Sequence, residues 1–312
     1  MKRIGMIICV LIVLLCIPGT GVCGGPVEVG ALPSDSSANG RSVEAGGIRY
    51  HYNEYPGEST AIIMIHGFSS SSYTWNAVAP RLSGEGYHVF APDMKGFGWS
   101  DKPAGAPYDA VTLMEGIHDW MGAVGIDRAV LVGNSLGGAV AVLMAIRYPE
   151  SVKGLVLIDA AGYPQDMPFI VAFIRLPLAG EFTKLIFGRW MVRGNLKEVF
   201  YDTSFVTDEK VDAYYERLNT PGALDAQMAV ARSMDHEAFA PYRARFKDIN
   251  IPTLIIWGEK DAWIPVQNGY RYANDIPGAK LEVIPRCGHM PQEEMPDRTV
   301  ELILDFMGKN AD

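Results

Sequence analysis

The chain has 312 residues, of which 48% are hydrophobic and 20% are charged, and its formal net charge is −9. This composition is typical of a folded protein and excludes an intrinsically disordered or collagen-like chain. No run of lysines and arginines stands out. Because phosphate binding requires clustered cations, we do not expect nucleic acid as a partner.

The N-terminal segment has the pattern of a targeting sequence. A basic start precedes an apolar run over residues 4–17, and small residues follow. This three-part pattern is typical of a secretory signal peptide, and the run is shorter than the roughly 20 apolar residues that span a bilayer. We predict a signal peptide over residues 1–24 and export to the periplasm or the medium. An uncleaved membrane anchor and a lipoprotein lipidated at Cys23 are the alternatives.

Cleavage just after Cys23 removes three of the four cysteines and leaves Cys287 alone. We therefore expect no intramolecular disulfide in the mature protein and interpret Cys287 as a small buried residue. Residues 25–40 are small, polar and without periodicity, which predicts a flexible linker.

From residue 41 onward, apolar strand-like runs alternate with helix-length segments. Continuous apolar runs fit strands that are covered on both faces, and the alternation predicts a doubly wound, mostly parallel α/β sheet. The Gly46-Gly47 pair predicts the turn of an antiparallel hairpin. The predicted strands are 42–45, 48–52, 61–65, 87–91, 129–132, 152–158, 253–257 and 281–284, and the predicted helices of the core are 73–82, 109–124, 136–148, 266–274 and 296–307.

The stretch over residues 163–247 interrupts this alternation. It carries helical patterns but no apolar run of the strand type. Thr207 is suited to cap a helix that ends at Leu218, because acidic residues occupy the first turn. We predict a helical insertion here, with residues 41–162 and 248–312 forming the core.

A G-x-S-x-G motif occupies residues 133–137, between a predicted strand and a predicted helix. On a sharp strand-to-helix turn the serine backbone is strained, and the hydroxyl is exposed above the sheet. This context favours Ser135 as a nucleophile over the alternative, a glycine-rich turn with a capping serine.

A serine nucleophile needs a base, and the base needs a carboxylate to orient it. His289 is the best base among the six histidines, because it follows the last predicted strand, at the sheet edge where α/β proteins place their sites. Asp261 also follows a strand and precedes His289, which gives the chain order expected for such a hydrolase. Asp159 is the alternative acid, and Asp93 is interpreted as a carboxylate that organises its loop.

The tetrahedral intermediate of acyl transfer needs N–H donors for its oxyanion. One donor is expected to be the backbone N–H of Leu136, which follows the nucleophile, and the second that of Phe68, in the loop after strand 61–65. In the same loop, His66 is interpreted as a structural residue.

Five segments resemble the α/β-hydrolase superfamily, in the branch with serine esterases, carbon–carbon bond hydrolases, epoxide hydrolases and haloalkane dehalogenases. The resemblance implies the α/β-hydrolase fold, the Ser-Asp-His triad, and a cap domain that roofs the active site. The segments are HGFSSSSYTW (66–75), APDMKGFGWSDKP (91–103), GNSLGG (133–138), WGEKDAWIP (257–265) and RCGHMPQEEMP (286–296).

Ser135 excludes two activities of this branch, because the epoxide hydrolases and haloalkane dehalogenases use an aspartate there. The prediction is a serine hydrolase that cleaves a small, largely apolar carboxylic ester, the expected small-molecule partner. One alternative is a carbon–carbon bond hydrolase of vinylogous diketones, which usually has a tryptophan where this chain has Met290. The other is a catalytically silent binding protein on the same fold.

No cofactor is expected, because the triad needs none. The sequence has no cysteine pair in the mature chain, no close histidine pair and no phosphate-binding glycine loop, so no metal or nucleotide site is expected either. Part of the apolar cap is expected to line the pocket, from the set Met167, Phe169, Phe173, Phe182, Phe187, Trp190, Met191 and Phe200, with Trp190 influencing chain-length preference.

Overall fold

The computed structural model describes residues 39–309 except residue 236. The predicted signal peptide over residues 1–24 lies outside the described residues, as does the predicted linker up to residue 38. Within the described part of the chain, no helix combines the length and the apolar character needed to cross a membrane.

An eight-stranded sheet forms the centre of the fold, with the strand order β1-β2-β4-β3-β5-β6-β7-β8. The first two strands form the predicted antiparallel hairpin, β2 pairs antiparallel with β4, and all later neighbours pair in parallel. The predicted α/β sheet is therefore confirmed. The strands are β1 (Gly40–Ala45), β2 (Ile48–Tyr55), β3 (Ala61–Ile65), β4 (His88–Pro92), β5 (Ala129–Asn134), β6 (Val152–Ile158), β7 (Thr253–Gly258) and β8 (Lys280–Ile284).

Helices cover both faces of the sheet, and this explains why the central strands are apolar without alternation. Every residue of β5 and β7 is buried. The helices are α1 (Ala79–Gly84), α2 (Ala110–Ala123), α3 (Leu136–Arg147), α4 (Phe169–Ile174), α5 (Pro177–Ile186), α6 (Arg189–Val199), α7 (Asp208–Leu218), α8 (Ala223–Ser233), α9 (Ala240–Arg243), α10 (Gln267–Asp275), α11 (Pro291–Glu294) and α12 (Pro296–Lys309).

The predicted helix over residues 73–82 is wrong in its continuity. The chain forms a short 3-10 turn over Ser72–Trp75, and α1 then starts afresh at Ala79. Pro80 lies in the first turn of α1, where its missing N–H costs nothing, and its ring disfavours a helix continuing from the preceding residues.

The described residues between β6 and β7 form helices α4–α9 and short 3-10 turns, with no strand among them. Thr207 caps α7 as predicted, since its side-chain oxygen accepts a hydrogen bond from the N–H of Lys210 at 3.2 Å. These helices form the cap over the carboxyl edge of the sheet.

A buried polar cluster joins the cap to the core. Glu293 of α11 accepts hydrogen bonds from Thr74, at 2.7 Å, and from Tyr214 of α7, and it forms an ion pair with Lys210. Because the Glu293 side chain is buried, these partners offset the cost of removing its charge from water. The neighbouring Glu294 accepts hydrogen bonds from the backbone N–H groups of Tyr201, Asp202 and Gly288.

Candidate active site

Ser135 occupies the sharp turn between β5 and α3. Its φ of 54° and ψ of −117° are values that a residue with a side chain rarely adopts. The turn is held because the Ser135 N–H donates to the carbonyl of Ile158 at 3.0 Å, while the Ser135 carbonyl accepts from the N–H of Ala161 at 2.9 Å.

The glycines of the motif are required by close backbone contacts. A Cβ on Gly133 would lie 2.3 Å from the carbonyl oxygen of Gly137, and a Cβ on Gly137 would lie 2.1 Å from the carbonyl oxygen of Ile65. Both separations are shorter than any real carbon contact. The G-x-S-x-G spacing therefore reflects the packing of α3 against β3 and β5.

His289 and Asp261 meet at the carboxyl edge of the sheet. The Nδ1 of His289 lies 2.6 Å from the Oδ2 of Asp261, and both side chains are buried. The Oδ1 of Asp261 accepts the backbone N–H groups of Trp263 and Ile264, at 2.7 and 2.9 Å. This pairing places a proton on Nδ1 and leaves Nε2 free to act as a base. Ser135 and His289 line the same small cavity.

Asp159, the alternative acid, does not contact His289 by a hydrogen bond within the described part of the chain. It follows β6 at a φ of 45°, is fully buried, and accepts the N–H of Gly258 at 3.0 Å. Burial and the nearby negative charge of Asp261 raise the pKa of Asp159 well above its ordinary value.

The side chains of Asp159, Asp261 and His289 form a group of potential metal ligands, with one ligand atom of each residue within 4.8 Å of the others. The oxygens of Asp261 are already engaged by His289 and by two backbone amides. A cation would have to displace these hydrogen bonds, so we assign no ion to this group.

The loop after β3 packs closely against Ser135. A Cβ on Gly67 would lie 3.0 Å from the Cβ of Ser135, which leaves room only for glycine or a displaced loop. Phe68 and Leu136, the two predicted oxyanion donors, border the same cavity as Ser135. The structure therefore brings both residues to the nucleophile.

Two buried polar residues shape this loop and the next. The Nδ1–H of His66 donates to the carbonyl of Gly67 at 2.8 Å, and its Nε2 accepts the N–H of Met94 at 3.1 Å. Burial lowers the pKa of His66, which keeps the ring neutral for both hydrogen bonds.

Asp93 accepts hydrogen bonds from the backbone of Ser72 at 2.6 Å, from the backbone of Trp99 at 2.8 Å and from His51 Nδ1 at 2.9 Å.

A cavity of about 290 Å³ opens from Ser135 towards the cap, and most of its walls are apolar. Met167 lines it, but Trp190 and Phe169 do not, being 63% and 53% exposed. A place for Trp190 in the pocket lining is therefore wrong, because α6 turns this side chain to solvent, and its expected influence on chain-length preference loses its structural basis. The cap and adjoining residues that do line the cavity include Gln165, Met167, Pro168, Val171, Val230 and Met234.

A narrow cleft, with no room for a water molecule, adjoins the small cavity that Ser135 and His289 share. Ser70 and Tyr214 border both spaces, and Arg217 and Gln227 line the cleft. The buried Nε of Arg217 and Nε2 of Gln227 have no hydrogen-bond partner in the protein. Sequence reasoning missed Arg217, because nothing in the helical pattern of α7 distinguishes a cleft-lining arginine from a solvated one.

Comparison with known proteins supports the fold. The family model described as alpha/beta hydrolase fold matches residues 60–296. The 2-hydroxymuconate semialdehyde hydrolase of Pseudomonas sp. (strain CF600) is 32% identical over 286 residues, which cover 89% of this chain and 96% of that protein.

Solved structures are similar as well. The meta-cleavage product hydrolase of Pseudomonas fluorescens IP01 is 31% identical, with a TM-score of 0.74 and coverage of 86% of this chain and 98% of that one. A membrane phospholipase A described as a bacterial virulence factor is 28% identical, with a TM-score of 0.69, and the match covers 87% of this chain and 86% of that one.

Proposed function

The chain belongs to the alpha/beta hydrolase fold family, and from this premise we propose that it is a serine hydrolase that cleaves a carbon–carbon bond in a vinylogous diketone bearing a carboxylate. Ser135 is the nucleophile, His289 the base and Asp261 the acid that orients it. The observation that carries the proposal is the similarity, over most of the chain, to hydrolases named for 2-hydroxymuconate semialdehyde and 2-hydroxy-6-oxo-2,4-heptadienoate, together with the cavity at Ser135.

The triad geometry supports attack on a carbonyl carbon. His289 Nε2 takes the proton of the Ser135 hydroxyl as its oxygen bonds to that carbon, and the N–H groups of Phe68 and Leu136 receive the oxyanion. The bond to the leaving group then breaks, and the leaving carbon takes the proton from His289. Conjugation in a vinylogous diketone stabilises the electron pair on that carbon. Water hydrolyses the acyl-enzyme by the reverse proton path.

Arg217 offers a cation to an anionic end group on the substrate, and the cleft beside it must widen by a side-chain movement to admit that group, because it has no room for a water molecule. A guanidinium with an unpaired, buried N–H is suited to a carboxylate, because charge-assisted hydrogen bonds are the strong ones. The substrates named for similar proteins are of this kind, such as 2-hydroxy-6-oxo-2,4-heptadienoate for a hydrolase of Pseudomonas putida that is 31% identical. The comparisons thus favour the carbon–carbon alternative over the ester predicted from sequence.

Hydrolysis of an apolar carboxylic ester is the second candidate. Two observations favour it: Met290 stands where the carbon–carbon hydrolases usually have tryptophan, and the larger cavity at Ser135 has mostly apolar walls. The acyl-enzyme step is the same in both reactions, and only the leaving group differs.

A paired substrate assay separates the two candidates. The wild-type protein is given 2-hydroxy-6-oxo-6-phenylhexa-2,4-dienoate and p-nitrophenyl butyrate. We expect Arg217→Gln to lower kcat/KM for the dienoate tenfold or more, the effect of one lost charged hydrogen bond of about 1.5–3 kcal/mol, and to change ester hydrolysis less than threefold. Arg189→Gln, an exposed cap arginine, is the matched control. Ester turnover without dienoate turnover by the wild type would instead support the second candidate.

A further inference from the structure

Asp159 lies beside Asp261, because the two residues follow neighbouring parallel strands, β6 and β7. One side-chain oxygen of each aspartate and one ring nitrogen of His289 lie within 4.8 Å of one another. Asp159 is fully buried, so no bulk water reaches its carboxyl group. Two carboxyl groups this close, out of water, do not both carry a charge.

Each carboxyl oxygen of Asp159 and Asp261 accepts a hydrogen bond, except Oδ2 of Asp159. Asp159 Oδ1 accepts the N–H of Gly258 at 3.0 Å, whereas its Oδ2 is buried without a partner. Asp261 accepts two backbone N–H groups on Oδ1 and the ring N–H of His289 on Oδ2. A proton on Oδ2 of Asp159 turns the unpartnered acceptor into a donor, and the neighbouring Asp261 carboxylate is an acceptor for it.

The ionisable groups that face Asp159 favour its protonated, neutral form. Asp261 and Glu294 of α11 bring negative charge to it, and the buried Cys287 thiol, whose pKa burial raises, brings no charge. Burial and these charges together hold the pKa of Asp159 well above its usual range. His289 is paired with Asp261 rather than with Asp159.

We propose that Asp159 is a neutral carboxylic acid that donates a hydrogen bond to Asp261 and so positions the carboxylate that orients His289. The inference rests on the proposed triad. Asp159 borders none of the cavities at Ser135, so it acts through Asp261 and not on the substrate. Its φ of 45° is a strained value for a residue with a side chain, and the strain is explained if the turn must aim the carboxyl group at Asp261.

Infrared difference spectroscopy tests the protonation state without any substrate. The wild-type protein at pH 7 is compared with Asp159→Asn, which keeps the shape of the side chain and an N–H donor. We expect the C=O stretch of a protonated carboxylic acid in the wild type and its loss in the variant. The lack of this band overturns the proposal, even if the triad is correct.

The positioning role is tested by the rate at which a fluorophosphonate probe labels Ser135, which needs the triad but not the natural substrate. We expect Asp159→Ala to slow labelling tenfold or more and Asp159→Asn to restore it to within a few-fold of wild type. The asparagine variant should also lack the alkaline loss of rate that ionisation of Asp159 causes. Asp261→Asn, the reference, should slow labelling at least a hundredfold.

Labelling of Asp159→Asn as slow as that of Asp261→Asn would overturn the inference, because Asp159 would then act as an ionised acid. If the alanine variant fails to fold, the labelling rate of the asparagine variant and the infrared band still test the role of Asp159. If even the wild type is not labelled, the proposed function fails, and the infrared band still reports on Asp159.

Discussion

The side chain of Asn134 ties the loop that carries His289 to the strand that ends at Ser135. Its Nδ2 donates to the carbonyl oxygens of His289 and Ile158, both at 3.2 Å. The residue before Ser135 thus helps to hold the backbone of His289, whose own N–H also donates to the carbonyl of Val199 at 2.7 Å.

Replacement of Asn134 by alanine is expected to slow fluorophosphonate labelling of Ser135 about tenfold, because the His289 loop loses one of the hydrogen bonds that hold it. Two buried carbonyls also lose a donor, so urea unfolding should show a loss of about 1–3 kcal/mol. Asn274→Ala, at an exposed asparagine, is the matched control and should change neither quantity. Unchanged labelling in folded Asn134→Ala would show that the loop is held by other contacts.

Ser135→Ala is expected to abolish turnover while the protein stays folded. Loss of a triad nucleophile costs on the order of 10⁴ to 10⁶ in rate. Alanine can occupy the same strained turn, so the circular dichroism spectrum and the melting temperature should stay close to those of the wild type. Residual activity above a tenth of wild type, in pure folded protein, would contradict the assignment of Ser135.

The features predicted from sequence are those that local chemistry determines. The turn at Ser135 needs glycines at Gly133 and Gly137 because the backbone approaches within van der Waals distance, and these glycines are visible in the sequence. Asp261 and His289 could be found because both follow apolar strands. The carboxyl ends of parallel strands meet at one edge of the sheet, regardless of how the cap helices pack.

The cap residues that face the site could not be found in this way. Trp190 and Val171 both lie in helical patterns of the cap, yet the first is exposed and the second lines the cavity. Which face of a cap helix turns inward depends on how the helices pack over the core, and a helical period alone does not fix it. The proximity of Asp159 to Asp261 likewise arises only from the pairing of β6 with β7.

Asp159→Asn is expected to stabilise the protein, and more at high pH. The pKa of Asp159 is raised in the folded state, so above the unfolded pKa of about 3.9 the native protein holds a proton that the unfolded chain releases. Stability is therefore lost as pH rises from there through the folded pKa. Asparagine carries no such proton, so its gain in melting temperature should be larger at pH 8 than at pH 5. An equal gain at both values would contradict a neutral Asp159.

The fate of the N-terminus remains a proposal from its sequence pattern. We expect protein isolated from its native host to begin near residue 25, because a basic start, a short apolar run and small residues precede that point. Intact-mass measurement decides this. Retention of residues 1–24 would make the segment an anchor, and a lipid-sized increment on a chain that starts at Cys23 would make the protein a lipoprotein.

Substrate size should depend on Val171, a buried residue of cap helix α4 whose side chain lines the apolar cavity of about 290 Å³. Val171→Phe fills part of this space, so we expect kcat/KM for the phenyl dienoate to fall tenfold or more while the smaller 2-hydroxy-6-oxo-2,4-heptadienoate loses less than threefold. The open cavity accommodates the added volume, so we expect the stability cost to stay below the roughly 1–3 kcal/mol typical of overpacked cores. Ile170→Phe, on the same helix but not lining the cavity, is the matched control and should leave the ratio of the two substrates unchanged. An equal loss for both substrates in Val171→Phe would place the variable end of the substrate elsewhere.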